Sequence, residues 1–133
     1  MSIGDPAQLK WPNDLTIRGA KVAGVLLERQ GDQIAVGIGV NLQSAPVIEG
    51  RATTCLDIDG GQGFTADELL EQLSKWLPWA IDSWRQHGVV WVAGRWESEA
   101  HLRGTSLSAT LPDGTRHEGR FAGLNHDCAL RLE

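Results

Sequence analysis

With 133 residues, 41% of them apolar and 22% charged, the chain has the composition of one globular unit with room for a small appendage, neither disordered nor fibrous. No apolar run approaches the roughly 20 residues that a membrane-spanning helix needs, and Met1-Ser2-Ile3-Gly4-Asp5 lacks the charged and apolar regions of a secretory signal, so a cytoplasmic protein with no membrane attachment is expected. The net charge of −5 is spread along the chain without a Lys and Arg cluster, which argues against nucleic acid as a partner.

From residue 9 to 42 the pattern is that of a β meander. An extended Leu9-Lys10-Trp11 leads into a Pro12-Asn13-Asp14 turn, then Leu15-Thr16-Ile17 and a second turn through Arg18-Gly19-Ala20. Two longer strands, residues 21–28 and 34–42, flank Gly31-Asp32, which suits a tight hairpin with a loop of about two or three residues. Residues 43–64 show no lasting period and read as a long connection. Thr65-Ala66-Asp67-Glu68 has the form of a capping box and starts a helix. Leu69, Leu70, Leu73, Trp76, Leu77, Ala80, Ile81 and Trp84 then place one apolar stripe on it.

Pro78 predicts a kink or break near residues 75–77, because proline removes a backbone donor and crowds the preceding turn. Gly88 ends this helix, and residues 90–100 read as a second, shorter one. Residues 106–111, 115–124 and 128–132 return to strand, separated by Pro112-Asp113-Gly114 and Asn125-His126-Asp127 turns. A tail of about 30 residues is too small for a core of its own and should dock on the helices or on a partner. Cys55 and Cys128 stand far apart and the four histidines are scattered, so reduced thiols and no metal site built from protein ligands are expected. Five of the six tryptophans fall between Trp76 and Trp96, where helical packing accounts for them.

The strand at 34–42 alternates large and small residues. Ile34, Val36, Ile38, Val40 and Leu42 share one face, and Ala35, Gly37, Gly39 and Asn41 the other. Two glycines on one face suggest close approach of a flat ligand or of another backbone. Asn41 closes that bare strip with an amide that both donates and accepts, as recognition of a base edge requires.

Lys21, at the start of the facing strand, can reach across to a phosphate or carboxylate. A three-residue loop at residues 31–33 would bring Lys21 and Asn41 to one side, whereas a two-residue loop would separate them, and we expect the former. Asp14 is placed to bind a phosphate-associated magnesium ion or to hydrogen-bond to a reacting ligand. Each feature also has a plain structural reading: a turn, a solvated lysine, packing glycines.

The strings Lys10-Trp11-Pro12-Asn13-Asp14-Leu15, then Gly19-Ala20-Lys21-Val22-Ala23-Gly24-Val25-Leu26-Leu27-Glu28, then Gly37-Ile38-Gly39-Val40-Asn41-Leu42 resemble the biotin protein ligase family in order and spacing. The tail, with Gly119 and Ala122-Gly123, more loosely resembles the family's C-terminal domain. The resemblance implies an α+β fold: an antiparallel or mixed sheet fragment of the biotin/lipoate ligase-like catalytic domain with two helices over residues 1–100, then a small β-barrel-like domain over 101–133.

It also implies activation of biotin with ATP and magnesium to biotinyl-AMP, then transfer to a lysine of a biotin carboxyl carrier protein or domain. Lys21 matches the lysine at the acyl-phosphate and, with Asp14, is the implied catalytic residue; Asn13, Lys21, Gly24, Gly37, Gly39 and Asn41 are the implied contacts to the bound adenylate.

The family's Gly-Arg-rich adenylate loop and most of its biotin-contacting strands precede the Trp-Pro-Asn-Asp motif, whereas only nine residues precede Lys10 here. The expectation is therefore the second half of a ligase, inactive alone, with a complementary N-terminal half as partner. Its unpaired strands predict self-association. Two other readings are a noncatalytic remnant acting as a binding or assembly module, and a lipoate ligase-like acyl-adenylating enzyme.

Overall fold

The computed structural model describes residues 7–57 and 63–133. The opening stretch read for a signal, and part of the 43–64 connection, lie outside them.

Strands β1 (Gln8–Lys10), β2 (Asp14–Ile17), β3 (Ala20–Gln30) and β4 (Gln33–Val40) form an antiparallel sheet in chain order. Local turn chemistry dictates that order. Arg18 and Gly19 both take positive φ, 49° and 79°, the conformation that lets a two-residue loop follow the strand twist. Gly31, at φ 61°, opens the second hairpin. The Gln30↔Gln33 pairing makes that loop the two residues Gly31-Asp32, with glycine first as a type II′ turn requires. The expected three-residue loop is thus corrected: a glycine able to adopt positive φ closes the tighter turn.

Past β4 the chain turns back. Lys21 N–H donates to the Ala52 carbonyl at 2.9 Å and the Lys21 carbonyl accepts from Thr54 N–H at 2.9 Å, an isolated parallel bridge that covers the start of β3. Val22 and Cys55 are fully buried, with Thr16, Ile17 and Thr54 also buried around this crossing of β2, β3 and the return segment.

Helix α1 (Ala66–Ser98) opens with the expected capping box: Glu68 N–H donates to Thr65 Oγ1 at 3.2 Å and Thr65 N–H to Glu68 Oε2 at 2.9 Å. Its single non-helical residue is Gly88, at φ 79° and ψ 178°, so the two expected helices form one element broken there. The break expected near residues 75–77 is not found, since the backbone stays helical through Pro78. Proline forfeits one hydrogen bond, but its fixed φ is itself helical. No helix among the described residues is long and apolar enough to cross a membrane.

Compactness divides the chain within this helix, into units Met1–Ile81 and Asp82–Glu133. In the second unit β5 (Ser106–Thr110), β6 (Arg116–Leu124) and β7 (Leu130–Leu132) form a three-stranded antiparallel sheet in chain order. Three strands are too few to close, and the barrel-like form expected from the resemblance is not part of the described structure.

The tail docks on the last helical turns, as its small size requires. Phe121 is buried with its ring 6.4 Å from that of Trp96, and Glu97 accepts from Leu124 N–H at 2.8 Å and from Arg103 at 2.6 Å.

Candidate functional site

The first sheet brings four residues into one cross-strand row: Lys10 opposite Asp14, Asp14 opposite Gly24, Gly24 opposite Gly39. Side chains in such a row share a face, so an acidic residue stands beside two positions with no side chain at all. Neither Gly24, Gly37 nor Gly39 has positive φ. A Cβ on Gly39 would meet nothing nearer than the Gly24 carbonyl at 4.0 Å, and one on Gly37 nothing nearer than the Leu26 carbonyl at 3.6 Å. Packing within the chain therefore does not demand glycine at 37 or 39; what these two residues create is free space above the sheet.

Lys21 reaches that space through an irregularity. By regular alternation residue 21 shares a face with 23 and 25, and the two-residue hairpin would turn it away from the glycines. The pairing of β2 with β3 shifts between Leu15 and Thr16, so that Leu15 faces Ala23 while Thr16 faces Lys21, leaving Val22 as the extra residue of a bulge. The bulge reverses the alternation. Lys21 Nζ comes to lie 2.9 Å from where a Gly24 Cβ would stand, and 2.5 Å from Asp14 Oδ1. The Lys21 side chain is 29% exposed and that of Asp14 15%, which makes this ion pair partly desolvated and better defined than a surface pair.

Asn13 is clipped to β3 twice: its carbonyl accepts from Val25 N–H at 2.9 Å, and its side-chain amide donates to the Val25 carbonyl. The clip fixes the turn that carries Asp14. Asn41 is held from the other side. Its Nδ2 donates to the Thr54 carbonyl at 2.9 Å and lies 3.5 Å from the Lys21 carbonyl, so the amide expected to serve a ligand with both ends has its donor engaged. Its Oδ1 finds no donor among the described residues.

Asn13, Lys21, Gly24, Gly37, Gly39 and Asn41 all line one open groove of about 720 Å³, and Asp14 acts on it through Lys21. Sequence reasoning named these residues but missed the bulge at Val22 and the Asp14–Lys21 contact, for which an unbroken strand pattern carries no signal. No group of three His, Cys, Asp or Glu among the described residues can hold a metal ion. Among the described residues Asp14 is the one carboxylate at the groove, and it is taken by Lys21, so they do not build a magnesium site.

A sheet face cleared by glycines, with one fixed ammonium at its edge, is the arrangement of a site for a flat, anionic ligand. A family model described as the biotin/lipoate A/B protein ligase family matches residues 2–43. The biotin-[acetyl-CoA-carboxylase] ligase of Paracoccus denitrificans is 34% identical over 99% of this chain and 60% of its own length. The bifunctional ligase/repressor BirA of Escherichia coli K12 is 31% identical over 97% of this chain and 42% of its own.

Among solved structures, the biotin protein ligase from Aquifex aeolicus in complex with biotin and ATP superimposes with a TM-score of 0.78 at 28% identity, over 96% of this chain and 55% of that one. The fold, a mixed α+β arrangement with antiparallel sheets, is thus that of biotin protein ligase catalytic domains. The chain is thus similar to the biotin protein ligases, within the wider biotin/lipoate ligase group, and spans about half the length of the relatives it matches.

Proposed function

We propose that the chain carries one half of a biotin protein ligase site, in residues 1–100, with residues 101–133 as its C-terminal domain. In this reading the carboxylate of biotin attacks the α-phosphorus of ATP, a C–O–P bond forms, pyrophosphate leaves, and a carrier-domain lysine amine then displaces AMP from the acyl carbon. The observation that carries the reading is the Lys21 ammonium, held by Asp14 at 2.5 Å above the bare face of Gly24, Gly37 and Gly39. A fixed cation is worth most where negative charge accumulates, on the oxygens of the acyl-phosphate as pyrophosphate departs.

Gly37 and Gly39 let the flat part of the ligand lie on the strand, and Asn41 Oδ1 accepts from the base. Magnesium enters as the counter-ion of the nucleotide phosphates, and no step is assigned to it. The remaining biotin contacts come from a complementary N-terminal half, and the reaction takes place in the cytoplasm.

The test is calorimetric titration of the chain with a stable biotinyl-AMP analogue in magnesium buffer, beside Lys21→Ala. Saturable binding lost in the variant supports the reading. Absence of binding by the unaltered chain at high concentration, and of biotinyl-AMP formation after a complementary N-terminal half is added, overturns it. Preferential competition by lipoate would reassign the substrate.

A second reading, an assembly module, draws on the edge strand β4, where Ile34, Val36 and Ile38 remain exposed beside Leu27 on the face opposite the glycines. Such a surface favours strand-to-strand association.

A further inference from the structure

We propose that Gly24 is a positioning residue: its missing side chain is the seat that fixes the Lys21 ammonium over the sheet face, and it does not serve chiefly as a contact to the ligand. The inference rests on the reading of Lys21 as the group that meets the acyl-phosphate. It separates Gly24 from the two glycines across the hairpin, with which the sequence motif groups it.

The argument is geometric. A Cβ built on Gly24 would stand 2.9 Å from Lys21 Nζ, 3.1 Å from Lys21 Cε and 3.2 Å from Asp14 Oδ1, and these three are its nearest neighbours. Each distance is shorter than ordinary van der Waals contact with carbon. Backbone is not among them, and Gly24 does not need positive φ, so neither strand pairing nor conformation requires glycine. What a methyl group would displace is the ion pair. The bulge at Val22 aims the lysine toward the row, Asp14 draws the ammonium inward from the neighbouring strand, and Gly24 leaves the volume in which the two charges meet.

Gly37 and Gly39 differ in kind. A Cβ on either finds the protein at ordinary contact distance, so a methyl there would obstruct a bound ligand without moving Lys21.

The experiment compares Gly24→Ala with Gly39→Ala in the full chain by two readouts: the position of the Lys21 ammonium relative to Asp14 in the crystal structure of each variant, and calorimetric binding of the biotinyl-AMP analogue. Gly24→Ala is expected to part Lys21 Nζ from Asp14 Oδ1, beyond the 2.5 Å of the unaltered chain, and to weaken binding about tenfold, the scale of one charge-assisted hydrogen bond. Gly39→Ala is expected to weaken binding while the Lys21–Asp14 contact stays in place. An unchanged Lys21–Asp14 contact in Gly24→Ala overturns the proposal, whatever happens to binding, because the glycine would then act on the ligand directly or not at all.

A displaced Lys21 ammonium in a chain whose unaltered form does not bind the analogue supports the seat while removing the functional reading. Combining Gly24→Ala with Lys21→Ala serves as the folding control. With the lysine gone the methyl has room, and failure of that double variant to fold would show that Gly24 serves packing and would likewise overturn the proposal.

Discussion

At Lys21 two departures from regular strand geometry combine, and neither suffices alone. The Val22 bulge turns the side chain to the glycine face, and the Asp14 carboxylate from β2 holds it there at 2.5 Å. A lysine without that partner carries three rotatable donors on a flexible stem and would sample many positions. Asp14→Asn keeps an acceptor at the same place but removes its charge. It should therefore weaken analogue binding by less than Lys21→Ala, which we expect to cost at least about tenfold. Calorimetry of both variants, with thermal midpoints as a check on folding, tests the order; equal loss in both would mean that a neutral acceptor does not hold the lysine at all. The participants were legible because lysine, acid and paired glycines each carry chemistry in their side chains or the lack of them. Their meeting was not legible: a bulge inserts one residue without altering hydrophobic alternation enough to be read.

Among the elements, the helix shows which sequence signals survive tertiary context. The Thr65 and Glu68 capping box and the break at Gly88 are local effects, set by side-chain reach and by a φ of 79° that a Cβ disfavours, and both appear where the pattern puts them. Gly88→Ala should cost about 1–2 kcal/mol, since it forces an L side chain into left-handed backbone or straightens the break, and urea unfolding measures it. Pro78 misled because its cost is a single missing bond, which a long helix can absorb.

At the other end of the helix, Glu97 ties the last turn to β6. The Leu124 amide, against the opposing effect of burial and with help from Arg103, holds its carboxyl below the ordinary 4.5. The folded value lies below the unfolded one, so this stabilisation is complete above the unfolded value and is lost as pH falls through the folded one. Glu97→Ala should thus destabilise the chain by about 1–2 kcal/mol at neutral pH. The gap to the unaltered chain should narrow only below about pH 4.5. A gap that persists into stronger acid would mean that packing, not the charged carboxylate, supplies the contribution.

For the whole molecule, the strand order of both sheets followed from turn residues that connect neighbours, whereas the barrel-like form expected of the tail did not, because closure depends on strand number and tilt and has no local signature. The same sheet order leaves β4 at an edge, with Leu27 and Ile34 each 62% exposed on the face away from the groove. Unpaired N–H and C=O groups beside exposed branched side chains form a template for another strand, and the hairpin carries no proline to block it. The chain is therefore predicted to sediment as a species larger than the monomer at micromolar concentration. Placing a charge on the edge should reverse this without disturbing the glycine face, because Val36 pairs with Leu27 on the opposite side. Val36→Lys is expected to return the chain to a monomer in sedimentation velocity while preserving its circular dichroism. A monodisperse monomer in the unaltered chain would refute the edge as an association surface. Association that survives Val36→Lys would move the interface to the exposed tryptophans of the helix, Trp76 and Trp79, which stack edge to face at 5.6 Å.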